Sequence, residues 1–176
     1  MWRNKKGISP IVGVILVVAM TVLLAAIAWT YLGGFTKTSP KTYQVAVKVR
    51  ETLVENGKHR IVITYLGGPD QDKVVQLEFI GTNSSNKPMK FKVEGSNMDI
   101  KEDLKIKVDT VVNGKYVLKY FNGTSWVNVS DNTFETDYIP LGVTVYSDNG
   151  TAGKDHIIVN ALFSDGTEQT LYDDYI

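Results

Sequence analysis

GISPIVGVILVVAMTVLLAAIAWTYL, residues Gly7 to Leu32, carries no charged side chain, and the uncharged window runs from just after Lys6 to just before Lys37. Ser9, Thr21, Thr30 and Tyr31 hold its only hydroxyls. A helix over Ser9 to Leu32 spans about 35 Å at 1.5 Å per residue, enough to cross the hydrocarbon core of a bilayer. Its apolar residues follow no single stripe, so the helix must be covered all round, by lipid or by other helices. After residue 42 the sequence changes to polar segments with β-type alternation.

Charge and composition narrow what the remaining residues do. Arg3, Lys5 and Lys6 precede the apolar run; after it come 16 basic and 19 acidic side chains, a net of −3. That balance, without a basic stripe, excludes a nucleic-acid partner. The chain has no cysteine, which excludes disulfides, thiolate metal sites and cysteine nucleophiles. About 135 residues follow the apolar segment, enough for one domain with a real core.

The basic head Trp2-Arg3-Asn4-Lys5-Lys6 predicts a cytoplasmic N-terminus and a translocated C-terminal domain. Three fates of the apolar segment follow. Ala26-Ile27-Ala28 has the form of a secretory cleavage site, but the run is too long for such a signal and continues through Trp29 to Leu32. A permanent anchor satisfies hydropathy alone. The third reading rests on Lys5-Lys6-Gly7-Ile8-Ser9-Pro10-Ile11-Val12-Gly13, where charges end in a glycine and the apolar run begins at once.

That arrangement, with the Ser-Pro-Ile-Val-Gly-Val-Ile-Leu run behind it, resembles the class III signal of archaeal type IV pilins from Lys5 to about Leu32. The resemblance implies that a prepilin peptidase recognises Lys5, Lys6, Gly7 and Ile8 and cuts after Gly7 on the cytoplasmic side. The mature chain would then begin with its helix. A small residue at the cut lets a membrane-surface protease approach the backbone closely. Ser9 is placed to cap the helix, Pro10 to occupy its first position, and Gly33-Gly34 to stop it. Gly13, Ala19, Ala25, Ala26 and Ala28 permit close helix approach. Bacterial pilins carry Glu at the fifth residue after the cut; here it is Val12, which sets the chain apart from that branch.

The expected organisation is a cleaved signal over residues 1–7, a helix over 8–32, a linker over 33–42 and a β domain over 43–176. Strands are predicted at Tyr43–Arg50, Arg60–Leu66, Lys73–Ile80, Met89–Glu94, Leu104–Val112, Lys115–Phe121, Ser125–Val129, Leu141–Tyr146, His156–Phe163 and Thr167–Tyr172. Asn56-Gly57, Asn113-Gly114, Asn122-Gly123 and Asp165-Gly166 read as tight turns between them. Many short strands at even spacing argue for an antiparallel sandwich or barrel. The resemblance makes this an immunoglobulin-like β-sandwich. Val62-Ile-Thr-Tyr-Leu-Gly-Gly-Pro-Asp70 and Ala161-Leu-Phe-Ser-Asp-Gly-Thr-Glu-Gln169 are similar to segments of archaeal pilin and archaellin β domains.

No catalytic constellation, phosphate-binding loop, dinucleotide fingerprint or cofactor motif is present, so the expectation is a protein that is not an enzyme. His59 and His156 lack metal-ligand spacing and read as surface or edge-strand residues. Carboxylates in Gly68-Pro69-Asp70-Gln71-Asp72 and Ser147-Asp148-Asn149-Gly150 do not fit the EF-hand loop and read as turn residues. Four N-x-S/T triplets, at Asn83, Asn122, Asn128 and Asn149, do exceed expectation. With 11 Asn and 25 Ser or Thr among 176 residues, chance gives one or two, so these are candidate N-glycosylation sites.

By resemblance, the precursor sits in the cell membrane and then polymerises with identical subunits into a helical surface filament used in adhesion. The helices would form its core and the β domains its sheath. Prepilin peptidase, an assembly ATPase, a membrane platform protein and, before assembly, the lipid bilayer are the implied partners. The competing reading is a permanently anchored extracellular binding module with Tyr116, Tyr120 and Trp126 lining a concave site; a minor pilin or archaellin variant is a third.

Overall fold

A computed structural model describes residues 10–35, 42–54, 58–111, 113–129, 133–151 and 154–176. The chain divides into two units, residues 1–41 and 42–176. In the first, the uncharged stretch forms one helix, α1 (Pro10–Phe35), 26 residues long. Proline is tolerated at its first position because that N–H has no intrahelical partner in any case. The expected peptidase-site residues Lys5, Lys6, Gly7 and Ile8, and the expected cap Ser9, lie outside the described residues. One expectation needs correcting: α1 continues through Gly33 and Gly34 to Phe35 instead of stopping at the glycine pair. Glycine disfavours a helix interior by only about 1 kcal/mol, which does not break a helix already propagating through apolar residues.

The second unit is all β. Its strands are β1 (Ala46–Val54), β2 (Lys58–Gly67), β3 (Val74–Thr82), β4 (Lys92–Val93), β5 (Asp103–Thr110), β6 (Tyr116–Phe121), β7 (Trp126–Asn128), β8 (Thr144–Gly150), β9 (His156–Phe163) and β10 (Glu168–Tyr175). They form two antiparallel sheets, a four-stranded one in the order β1-β2-β8-β4 and a six-stranded one in the order β10-β9-β3-β5-β6-β7. Alternate residues of both sheets meet in one core. Ile61, Ile63, Tyr65 and Val145 come from the first, and Leu77, Phe79, Leu104, Ile106, Ile157, Val159 and Phe163 from the second. The result is a β-sandwich. Edge strands are blunted in two ways: β4 and β7 are very short, while β1 carries Lys48 and Arg50 and β10 carries Asp173 and Asp174.

Every predicted strand has a counterpart, but three are displaced. β1 starts at Ala46 rather than Tyr43 and runs on to Val54, because its polar end pairs with β2 as far as Val54 and Lys58. Tyr43 instead plugs the core: its ring stacks on Phe163 at 4.0 Å and its hydroxyl donates to Asp165 Oδ2 at 2.6 Å. Gln169 exchanges two hydrogen bonds with the Tyr43 backbone. The segment expected at Met89–Glu94 keeps only β4, preceded by isolated bridges at Pro88 and Phe91. β8 begins after the turn at Gly142 (φ 81°) and takes in Ser147-Asp148-Asn149-Gly150, which sequence alone reads as a turn.

At Asn113 and Gly114, φ is 87° and 72°, the left-handed pair that a tight hairpin requires. The expected Asn56-Gly57 turn lies outside the described residues, between paired strands β1 and β2.

Tyr65 is 1% exposed and its hydroxyl finds no partner; burial pushes its pKa up to about 12. Removing an unsatisfied buried hydroxyl removes a desolvation cost and sacrifices no bond. Tyr65→Phe is therefore expected to leave stability unchanged or raise it by about 1 kcal/mol. A thermal melt followed by near-ultraviolet circular dichroism measures this, and a fall of several degrees would contradict it.

Candidate functional site

The helix presents an unbroken apolar surface. Side chains as different in direction as Ile11, Val14, Val17, Val18, Met20, Leu23 and Leu24 all stand exposed. Successive residues turn by about 100°, so these point to every side, and no face is reserved for water. The segment Pro10–Ala28 is long and apolar enough to cross a membrane. Its one described hydroxyl, on Thr21, donates to the Val18 carbonyl at 2.8 Å and so presents no unsatisfied donor to an apolar neighbour. A Cβ added at Gly13 would meet nothing within 4 Å, so a neighbouring backbone can approach there. This arrangement binds apolar surface, lipid or helix, without discriminating strongly between them.

The β domain shows no comparable centre of chemistry. Among the described residues no group of three or more His, Asp or Glu side chains could hold a metal ion. His59 pairs with Glu51 across the β1–β2 hairpin; the two approach closely but outside hydrogen-bond geometry. His156 Nε2 lies 2.6 Å from Asp173, with its ring stacked on Tyr175. Asp148 pairs with Arg60 at 2.5 Å. Tyr116, Tyr120 and Trp126 do not converge on a concave site. Tyr120 is buried in the core, while Trp126 packs on Phe121 at 5.5 Å beneath the Lys107 ammonium at 4.7 Å.

Asp70 ties the start of the β domain to the turn before β3. Its Oδ2 accepts from the Gln44 N–H at 2.9 Å and its Oδ1 from Lys73 Nζ at 2.5 Å. The backbone bond first, and Lys73 second, hold its carboxyl below the usual range. A carboxyl lowered in the folded state stabilises above its unfolded pKa, and that contribution is lost as pH falls through the folded value. Asp70→Asn should therefore lower the melting temperature at neutral pH, with the gap to the parent protein closing as pH falls below the usual carboxylate range and through the lowered folded-state value. A constant gap across a pH series of melts would contradict this.

None of the four sequon asparagines is buried. Asn122 is exposed at the tip between β6 and β7; its Oδ1 accepts from the N–H groups of Thr124 and Ser125 at 2.9 and 2.7 Å. Asn83, half-buried in the loop after β3, accepts in the same way from Ser85 and Lys87 at 3.1 and 3.0 Å. Asn128 is exposed at the end of β7, and Asn149 is exposed within β8.

A buried acid escapes the sequence reading. Asp155 is 0% exposed and accepts from Thr151 Oγ1 at 2.5 Å, Thr151 N at 2.6 Å and Ser84 N at 3.2 Å. Nothing in Lys154-Asp155-His156 distinguishes it from an ordinary surface carboxylate.

No curated protein matches the chain significantly. A family model described as archaeal type IV pilin, N-terminal, matches residues 6–47. It begins at the last charge of the basic head and takes in the whole of α1. That part of the chain, an apolar helix with the last residue of the basic head before it, is similar to the N-terminal domain of archaeal type IV pilins.

Proposed function

We propose that the chain is the precursor of a structural subunit of an archaeal type IV pilus. The carrying observation is α1: 26 residues without charge, apolar on every side, inside a pilin match that starts at residue 6. Cleavage after Gly7 would remove Arg3, Lys5 and Lys6, the charges that resist withdrawal of the helix from the bilayer. An uncharged helix then passes from lipid into a bundle of identical helices with little desolvation cost and gains packing there. The β-sandwich, translocated with the C-terminal part of the chain, forms the outer layer. Prepilin peptidase, assembly ATPase and membrane platform protein serve this route, and adhesion is the role the family implies. The pilin family is structural, and this reading gives the chain no catalytic work.

The N-terminal sequence of the protein recovered from the cell surface tests the proposal. A start at Ile8 supports prepilin-type processing. A start at Trp29 would mean an ordinary secreted β domain, and an intact Met1 a permanent anchor; either would overturn it. The abundance of the chain in purified filaments separates a major subunit from a minor pilin, and swimming behaviour separates a pilin from an archaellin variant.

A further inference from the structure

The sandwich has two unlike ends. The chain enters at Thr42, where Gln44 bonds to Asp70 and Tyr43 to Asp165, so the turns around residues 67–73, 140–143 and 164–167 lie at that end. β3 leads away from it, and the antiparallel register puts the loops at 82–88, 122–125 and 151–155 at the opposite end. Asn83, Asn122 and Asn149 all lie at this remote end, whereas the turns beside Thr42 contain no sequon. Asn128 lies along edge strand β7 and is not part of this surface.

The three differ in what a glycosyltransferase could reach. The motif requires a hydroxyl two residues after Asn, so the enzyme must read that hydroxyl. In Asn122-Gly-Thr and Asn83-Ser-Ser, the Thr124 and Ser85 side chains are exposed, and only their backbone N–H groups are engaged, by the asparagine itself. Backbone donors on Oδ1 fix the orientation of each amide without engaging its Nδ2 donor in those bonds. Asn149-Gly-Thr is different. Thr151 Oγ1 is committed to buried Asp155 and lies 2.9 Å from Ser84 Oγ. Gly150 is buried in register with His59, and a Cβ there would lie 2.8 Å from Asp155 and 2.9 Å from the His59 carbonyl. Asn149 Oδ1 accepts from Ser147 Oγ and Lys90 N. The folded sheet closes this sequon.

We infer that the end of the sandwich remote from Thr42 is a glycan-bearing surface, with Asn122 and Asn83 as acceptors and Asn149 unmodified. The inference rests only on that part of the reading which places the β domain outside the cell. The donor is an oligosaccharide carried on a membrane lipid phosphate. Asn Nδ2 forms a bond to the anomeric carbon, the carbon–oxygen bond to phosphate breaks, the lipid phosphate leaves, and the Nδ2 proton passes to the transferase; nothing is oxidised or reduced.

The test is glycopeptide mass spectrometry on the full-length protein from membranes and on shed filaments. Saccharide masses are expected on the Asn122 and Asn83 peptides and none on the Asn149 peptide. Asn122→Gln and Asn83→Gln should each erase one modification. Thr124→Ala and Ser85→Ala should do the same while keeping the asparagine-capped loops, which guards against a loss caused by misfolding. Bare Asn122 and Asn83, or equal occupancy at Asn149, would overturn the inference. The N-terminal residue of the same samples keeps the two readings apart. Glycans on a chain with intact Met1 would sustain this inference and refute the filament, and bare asparagines on a chain starting at Ile8 would do the reverse.

Discussion

Gly7→Leu is expected to abolish filaments while leaving membrane insertion untouched. Insertion depends on the basic head and the apolar run, and the substitution leaves Arg3, Lys5, Lys6 and every residue of α1 in place. Cleavage depends on close approach of the peptidase to the backbone, which a branched side chain at the cut obstructs and glycine permits. The precursor should collect in the membrane with its three basic residues, and no mature protein starting at Ile8 should appear. Gly7→Ala keeps a small residue and should retain partial processing. Immunoblots of membrane and filament fractions, with N-terminal sequencing, report both steps. Filaments of normal abundance from Gly7→Leu cells would refute processing at this glycine.

Asp155→Ala is expected to produce a large loss of stability in the β domain. The carboxylate ties the loop after β3 to the loop before β9 through Ser84 and Thr151, while its own backbone pairs with Ile176 in both directions. Removing it leaves the Thr151 N–H without its acceptor and takes one of two partners from Thr151 Oγ1 and from Ser84 N, which keep Ser84 Oγ and Thr151 Oγ1 respectively. Losing these bonds to a buried carboxylate costs on the order of 3 kcal/mol together. For a domain of this size, that corresponds to a melting temperature lower by roughly 10 °C. Thr151→Val removes one donor and leaves the others paired, so its cost should be roughly 1–2 kcal/mol. Melts of the full chain in detergent micelles decide the matter; an Asp155→Ala protein that unfolds alongside its parent would show that the network carries no net stability.

Function and local structure were legible to different depths. The helix was plain because its determinant is local and additive: some 26 residues in a row without charge admit one solution in an apolar phase, a helix that satisfies its own backbone. Strand positions were legible from period-two alternation, and turns from Asn-Gly and Asp-Gly pairs, because each such signal is carried within a few residues. The displaced elements are those where a partner outvoted local preference. β1 follows the length of β2; Tyr43 leaves the strand to stack on Phe163; β8 runs through a Ser-Asp-Asn-Gly segment because β2 pairs with it at Ser147 and as far as Gly150.

What the amino-acid order determined without help is thus the division into an uncharged helix and a β domain, the pilin-like junction at Lys6-Gly7, and the excess of sequons beyond the helix. Tertiary structure alone decided that strands meet in the orders β1-β2-β8-β4 and β10-β9-β3-β5-β6-β7, that Asp155 is a buried anchor, and that three sequons gather at the end remote from Thr42. The reason is physical. Periodicity and turn chemistry act between neighbours, whereas Ser84 and Asp155 are 71 residues apart and acquire their roles only when two sheets close over one core.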